Sequence, residues 1–164
     1  MADVGLPDRD DYYLALAFTA AMRANCRGRK VGAVLVKGDR VIATGYNGTP
    51  EGLPNCLDGG CLRCADRDQF VPGTGYDLCI CVHAEANALL TAGRYGASTD
   101  GSIVYTTDQP CFSCSKELIQ AGVQQVFYAR TWSPDDRVAD DYRRLQAALS
   151  AVHLPTEYEI QALD

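Results

Sequence analysis

No stretch of the chain approaches the roughly 20 consecutive apolar residues that a bilayer-spanning helix needs, so a membrane protein is not expected. Positive charge is also scarce: 15 lysines and arginines against 21 aspartates and glutamates leave a net charge of −6. A protein that coats a polynucleotide without reading it would be basic, and that class is disfavoured. The opening residues, MADVGLPDRDD, are acidic where a secretory segment would be apolar, so a cytoplasmic location is the expectation. Internal repeats, low-complexity tracts and linker-like stretches are missing too, which predicts a single domain over residues 1–164. With 47% hydrophobic and 22% charged residues the proportions are globular, and 164 residues can bury a full core without covalent staples.

Cysteine, by contrast, is plentiful: Cys26, Cys56, Cys61, Cys64, Cys79, Cys81, Cys111 and Cys114. In a small secreted protein that number would suggest disulfides. In a domain of this size held in a reducing compartment, thiol-rich clusters point instead to metal.

Hydrophobic periodicity predicts an opening helix from about Asp8 to Asn25, with Tyr13, Leu16, Ala17, Ala20 and Ala24 on its stripe. Val31 to Val36 and Arg40 to Thr44 read as a hairpin closed at Lys37, Gly38 and Asp39. From Gly45 to about Tyr76 the chain is rich in Gly, Pro, Asn and Asp and carries three cysteines. A structureless loop of that length is improbable in a domain unless something ties it down. Helices are expected from His83 to about Arg94 and from Cys111 to Ala121, the second with Pro110 in its first turn and Gly122 as its stop. Strands are expected at Ser102 to Thr106 and Val123 to Ala129. A helix capped by Ser133 should follow, burying Val138, Tyr142, Leu145 and Leu149, and then a last strand at Thr156 to Ile160. The order α-β-β-α-β-α-β-α-β predicts an α/β fold, a five-stranded mixed sheet with helices on both faces.

Two motifs carry chemistry. His83-Ala84-Glu85 opens one predicted helix, and Pro110-Cys111-Phe112-Ser113-Cys114 opens another. One imidazole and two thiolates fill three positions of a tetrahedral zinc and leave the fourth open to water, which marks a catalytic rather than a structural site. Thiolates at a helix N-terminus are favoured by its partial positive charge. Glu85 lies beside the ligands without having to be one. It can take a proton from water as a base and return protons to a ring nitrogen and a leaving amine as an acid. H-x-E followed by P-C-x-x-C is the pattern of zinc-dependent nucleobase deaminases.

Longer stretches sharpen this. C-R-G-R-K-V-G-A at 26–33, G-Y-N-G-T-P-E-G-L-P-N-C at 45–56, G-C-L-R at 60–63, L-C-I-C-V-H-A-E-A-N-A-L-L at 78–90, Y-T-T-D-Q-P-C-F-S-C at 105–114 and I-Q-A-G-V at 119–123 together resemble the deoxycytidylate (dCMP) deaminases of the zinc-dependent cytidine-deaminase superfamily. The resemblance implies the three-layer fold of that superfamily and hydrolysis of dCMP to dUMP and ammonia. It also implies a homo-oligomer, hexamer or dimer, and regulation by dCTP and dTTP in many members. A local feature agrees on the substrate: Arg23, Arg27, Arg29 and Lys30 cluster in an acidic chain and suit a monophosphate, though a solvated surface face would look the same. The resemblance further places a phosphate- and interface-linked arginine at Arg94 and a nucleotide-site turn at Asn47. Tyr105 could stack on the base or serve as a core tyrosine.

Six cysteines remain. The resemblance implies a second, structural zinc in some relatives, to which Cys26 and Cys56 correspond, with Cys61 and Cys79 matching further recurring cysteines. Cys64 and Cys81 depart from the pattern and either could replace one of these four, and several free buried thiols are the alternative. Other activities stay open at this point: a deaminase for another cytosine or aminopurine compound, or a zinc-stabilised regulatory module without catalysis. A polynucleotide-editing deaminase is disfavoured, because the chain shows no basic, aromatic-rich channel.

Overall fold

The computed structural model of the chain describes residues 5–71, 75 and 78–156. In chain order the elements are α1 (Arg9–Ala21), β1 (Gly32–Lys37), β2 (Arg40–Tyr46), the single turn α2 (Leu62–Ala65), α3 (Ala84–Arg94), β3 (Ile103–Asp108), α4 (Phe112–Gln120), β4 (Gln125–Arg130), α5 (Ala139–Ala148) and β5 (Val152–His153). Helix α1 begins where the Asp8 carboxylate accepts a hydrogen bond from the Asp10 backbone N–H at 2.9 Å, with Asp10 and Asp11 in the first turn complementing the helix dipole. It buries Tyr13, Leu14, Ala17, Phe18 and Ala21; of the expected stripe Tyr13, Ala17 and Ala24 are buried, and Leu16 and Ala20 half-buried. Leu14 and Phe18 pack with Ala129, and this turns the buried face by one position.

The five strands form one sheet in the order β2-β1-β3-β4-β5. β1 pairs antiparallel with β2 and with β3, while β3–β4 and β4–β5 are parallel, so the sheet is mixed as expected. Alternation along β1 separates two cores. Ala33 and Leu35 join Ala84, Ala88, Ala92 and Leu118 on one face, and Val34 and Val36 join Tyr13, Ala17 and Tyr105 on the other. Two glycines let helices press onto those faces. A Cβ on Gly32 would come 2.0 Å from the Ala17 carbonyl oxygen of α1, and one on Gly45 would come 2.1 Å from the Ala84 carbonyl oxygen of α3. Thus α1 covers one face, α3 and α4 cover the other, and α5 packs against α4.

Three local expectations are corrected. Cys111, not Pro110, marks the start of α4, because Cys111 takes the extended capping conformation and Pro110 lies outside the helix. Ser133 is not the cap before α5. Asp135 accepts a hydrogen bond from the Arg137 N–H and caps a 3-10 turn, Asp136–Val138, ahead of the helix. Pro134 holds the residue before it extended, so the chain turns only afterwards. Val138 is therefore exposed, while Tyr142 and Leu149 are buried as expected. Among the described residues the last strand is Val152–His153. Residues 157–160 of the strand expected at Thr156 to Ile160 lie outside the described residues. Among the described residues no helix is long and apolar enough to cross a membrane.

Candidate active site and the neighbouring cysteine group

His83 and Cys111 occupy equivalent places: each is the last extended residue before a helix, α3 and α4 respectively. The start of α4 is braced from behind. The Pro110 carbonyl accepts hydrogen bonds from the Tyr142 hydroxyl at 2.6 Å and the Ser115 hydroxyl at 3.2 Å, and Gln146 Nε2 donates to Ser115 Oγ at 2.8 Å. The approach to α3 is held by a two-way backbone bridge between Gly48 and Val82. As a result His83 Nδ1 lies 3.4 Å from both Cys111 Sγ and Cys114 Sγ. Bonds of about 2.0–2.1 Å to nitrogen and 2.3 Å to sulfur in a tetrahedral sphere require a nitrogen–sulfur separation of about 3.5 Å, so the three donors fit one zinc ion. Hydrogen bonding from Cys114, and then from His83, holds the Cys111 thiol well below its ordinary range, while the same pairing with Cys111, reinforced by burial, pushes Cys114 up.

Glu85, in the first turn of α3, is 4% exposed. Burial, followed by the negative charge of Cys111, pushes its carboxyl up to about 7. It lines a cavity of about 710 Å³ together with His83, Cys111, Asp108 and Trp132. Arg29, Arg63, Arg67 and Phe70 line the same cavity, as do Cys26, Cys64, Cys79 and Cys81.

The predicted substrate residues separate. Asn47 is buried on the cavity wall. Its Oδ1 accepts from the Val31 N–H at 2.8 Å, and its Nδ2 donates to the Arg29 carbonyl at 2.9 Å, which fixes the extended segment before β1. Arg29 lines the cavity and donates to Asp108 at 2.8 Å. Arg27 does not line it: the chain bends at Arg27 and Gly28, and the Arg27 guanidinium donates to the Leu57 carbonyl at 3.2 Å. The basic cluster is thus split rather than presented as one patch. Arg94, at the far end of α3 and roughly 16 Å along it from His83, pairs with Glu51 at 2.8 Å on the surface and does not reach the cavity within the chain. Tyr105 is corrected to a core residue. It lies on the α1 face of the sheet, 5.0 Å from Phe127 in a stacked pair, and its hydroxyl donates to Asp10 at 2.6 Å.

Sequence reasoning missed Asp108, Arg63, Arg67, Arg130 and Trp132. Asp108 is the notable one: a buried carboxylate at the end of β3, it accepts from Arg29, from Arg130 at 2.7 Å and from the Thr107 hydroxyl at 3.0 Å. Its place at the end of β3, three residues before Cys111, was the available signal, but its partners Arg29 and Arg130 are distant in sequence. Trp132 is the chain's only tryptophan.

The other six cysteines gather on the long loop and its flanks, as the loop-length argument requires, but not in the expected set of four. Cys26, Cys56, Cys64 and Cys81 place their sulfurs within 4.8 Å of one another, and so do Cys61, Cys64, Cys79 and Cys81. Cys26 and Cys56 therefore belong to one group and Cys61 and Cys79 to another, because Cys64 and Cys81 stand between them. The separations are 3.8 Å for Cys26–Cys64, 3.7 Å for Cys61–Cys79 and 3.6 Å for Cys64–Cys79, all too long for disulfides. The loop is further tied down by Asn25, which donates to Asn55 at 2.9 Å, and by Arg67, which donates to the Arg27 carbonyl at 3.1 Å.

Residues 7–130 match the family model described as the cytidine and deoxycytidylate deaminase zinc-binding region. A deoxycytidylate deaminase of Schizosaccharomyces pombe is 46% identical over 142 residues, covering 87% of this chain but 42% of the relative. That of Mycobacterium phage D29 is 42% identical over 130 residues, covering 76% of this chain and 96% of the relative. The chain thus spans about two fifths of the yeast relatives it matches, 42% in both Schizosaccharomyces pombe and Saccharomyces cerevisiae. Among solved structures, the dCMP deaminase of cyanophage S-TIM5 in complex with dCMP and dUMP superposes with a TM-score of 0.69 at 32% identity, covering 92% of this chain and 99% of that one. Motifs, donor geometry and these likenesses agree, and the chain belongs to the zinc-dependent cytidine and deoxycytidylate deaminase family.

Proposed function

We propose that the chain hydrolyses dCMP to dUMP and ammonia, supplying dUMP for thymidine nucleotide synthesis. The observation that carries this is the buried Glu85 carboxylate beside the His83, Cys111 and Cys114 donor set, in a cavity also lined by arginines. Zinc held by those three donors would supply a Lewis acid that activates water. Glu85 accepts the proton that this water loses and delivers protons to the ring nitrogen and the departing ammonia. Burial keeps that carboxylate from exchanging its proton with bulk water. A regulatory module without catalysis has no use for a carboxylate so placed.

Arg29 gives one guanidinium nitrogen to Asp108 and has further N–H donors for the phosphate. Arg63 and Arg67 line the same cavity. Asn47 keeps the Arg29 segment in place and retains one Nδ2 hydrogen for the nucleotide. Two phosphate contacts at about 1.5–3 kcal/mol each would favour dCMP over deoxycytidine by two orders of magnitude or more in kcat/KM. The relative from cyanophage S-TIM5, described with dCMP and dUMP, supports this choice of substrate.

The proposal also includes structural zinc in the cysteine group, a cytoplasmic location and assembly of the chain with copies of itself. The apolar side chains of Leu90 and Tyr95, exposed on and just beyond α3 near Arg94, support the assembly. The test is ammonia release by zinc-loaded protein from a panel of cytosine and aminopurine nucleotides and nucleosides. Fastest release from dCMP is expected. Release from an aminopurine but not from dCMP, or from no member of the panel, contradicts the proposal.

A further inference from the structure

The six cysteines outside the catalytic site do not form a single four-ligand group. Two sets of four each satisfy the spacing of a tetrahedral thiolate site, and they share Cys64 and Cys81. A zinc ion with sulfur bonds of about 2.3 Å needs sulfurs about 3.8 Å apart, and the separations of 3.6, 3.7 and 3.8 Å match that value. Two such ions need eight sulfur contacts between them. Six sulfurs supply eight contacts only if two of them serve both ions, and the shared pair is already common to both sets.

We infer that these residues bind two zinc ions in one cluster, with Cys64 and Cys81 bridging, Cys26 and Cys56 completing one ion, and Cys61 and Cys79 completing the other. The surroundings fit a thiolate cluster better than a packed core. The group contains only cysteines, and the aliphatic residues of the same segment face outward: Leu57 is 50% exposed, Leu62 80% and Leu78 62%. With its leucines outside, the interior of this loop is built from sulfur alone. Backbone N–H groups are aimed at two of the terminal sulfurs, from Arg27 to Cys56 at 3.3 Å and from Gly28 to Cys26 at 3.4 Å, the kind of donor that stabilises a metal thiolate. A single zinc would use four sulfurs and leave two thiols beside it with no task. An iron–sulfur cluster is bridged by inorganic sulfide and takes four cysteines at its corners, whereas here two cysteines occupy the bridging places. The cluster joins the end of α1, the long loop and Cys81, two residues before His83, so it sets one wall of the cavity.

The test counts metal and asks whether the ions are linked. Native mass spectrometry of the zinc-loaded full chain should give three zinc ions per chain, and His83→Ala should lower the count by one without touching the cluster. Loaded with cadmium-113, the cluster should give two thiolate resonances that are scalar-coupled to each other through the bridging sulfurs. Cys79→Ser should cost one cluster ion, and Cys81→Ser both. If either variant fails to fold, the count and the coupling in the unmodified chain decide alone. Two zinc ions per chain, two uncoupled resonances, iron with acid-labile sulfide, or disulfides among the six cysteines would each overturn the inference. None of these readouts depends on turnover, so a failed deaminase assay leaves the inference standing and a failed metal count leaves the deaminase proposal standing.

Discussion

The two cysteine-containing regions use the same side chain for opposite ends. At the proposed catalytic site a histidine and two cysteines come from the starts of two helices packed on one face of the sheet, and a buried carboxylate stands next to them. In the neighbouring group six cysteines come from loops with little regular structure, and no carboxylate or imidazole belongs to either set of four. The rigid elements supply too few donors to close a metal's coordination, and the irregular ones supply more than enough. The difference teaches that openness for chemistry requires a scaffold that holds without the metal, while a closed thiolate site can itself be the scaffold.

The sharpest way to break this comparison is to remove the carboxylate. Glu85→Gln should retain its metal and fold and lose turnover of dCMP by about 10²–10⁴-fold, because it removes a proton carrier and no ligand. Steady-state rates with elemental analysis on the same sample check this, and activity above about a tenth of the starting value contradicts the role. Next in size is Arg29→Ala, which should lower kcat/KM for dCMP by about 10–100-fold while deoxycytidine changes by less than about twofold. An equal loss on both substrates would make Arg29 a brace for Asp108 rather than a phosphate contact.

On the other side of the comparison, Cys56→Ser should lower the metal content and bring the melting temperature down by about 10 °C, since metal binding here is folding energy. Unchanged zinc and unchanged melting would mean that the loop is held by packing alone. The smallest effect is expected at Tyr105→Phe. Loss of the hydrogen bond to Asp10 should cost about 1 kcal/mol of stability, read by denaturant unfolding, with dCMP kinetics unchanged. A raised KM would return Tyr105 to the nucleotide site.

The fold was legible wherever period and turn chemistry agreed. The β1–β2 hairpin, the helix starts at His83 and Cys111, and the mixed sheet all follow from local pattern. The metal donors were legible because H-x-E and P-C-x-x-C put chemistry at helix starts, where geometry is fixed by neighbours in sequence. The cavity wall was not legible. Asp108 and Arg29 are far apart in sequence and meet only through the pairing of β1 with β3, and a bend at Arg27 and Gly28 sends Arg27 to the Leu57 carbonyl instead of the cavity. Tyr105 shows the same limit, since the face of a strand decides between core and site. The grouping of the six cysteines was equally hidden, because motif spacing says which thiols are near in sequence and not which two stand in the middle.

The division of labour between the two regions is tested most directly by the Cys111→Ser variant, with metal content, turnover and melting measured on one preparation. One ion per chain fewer than in the unmodified protein, no measurable release of ammonia from dCMP and a cooperative melt within about 5 °C of the original are the expected results. Turnover that survives loss of that ion, or loss of the cysteine-group metal along with it, would contradict the account.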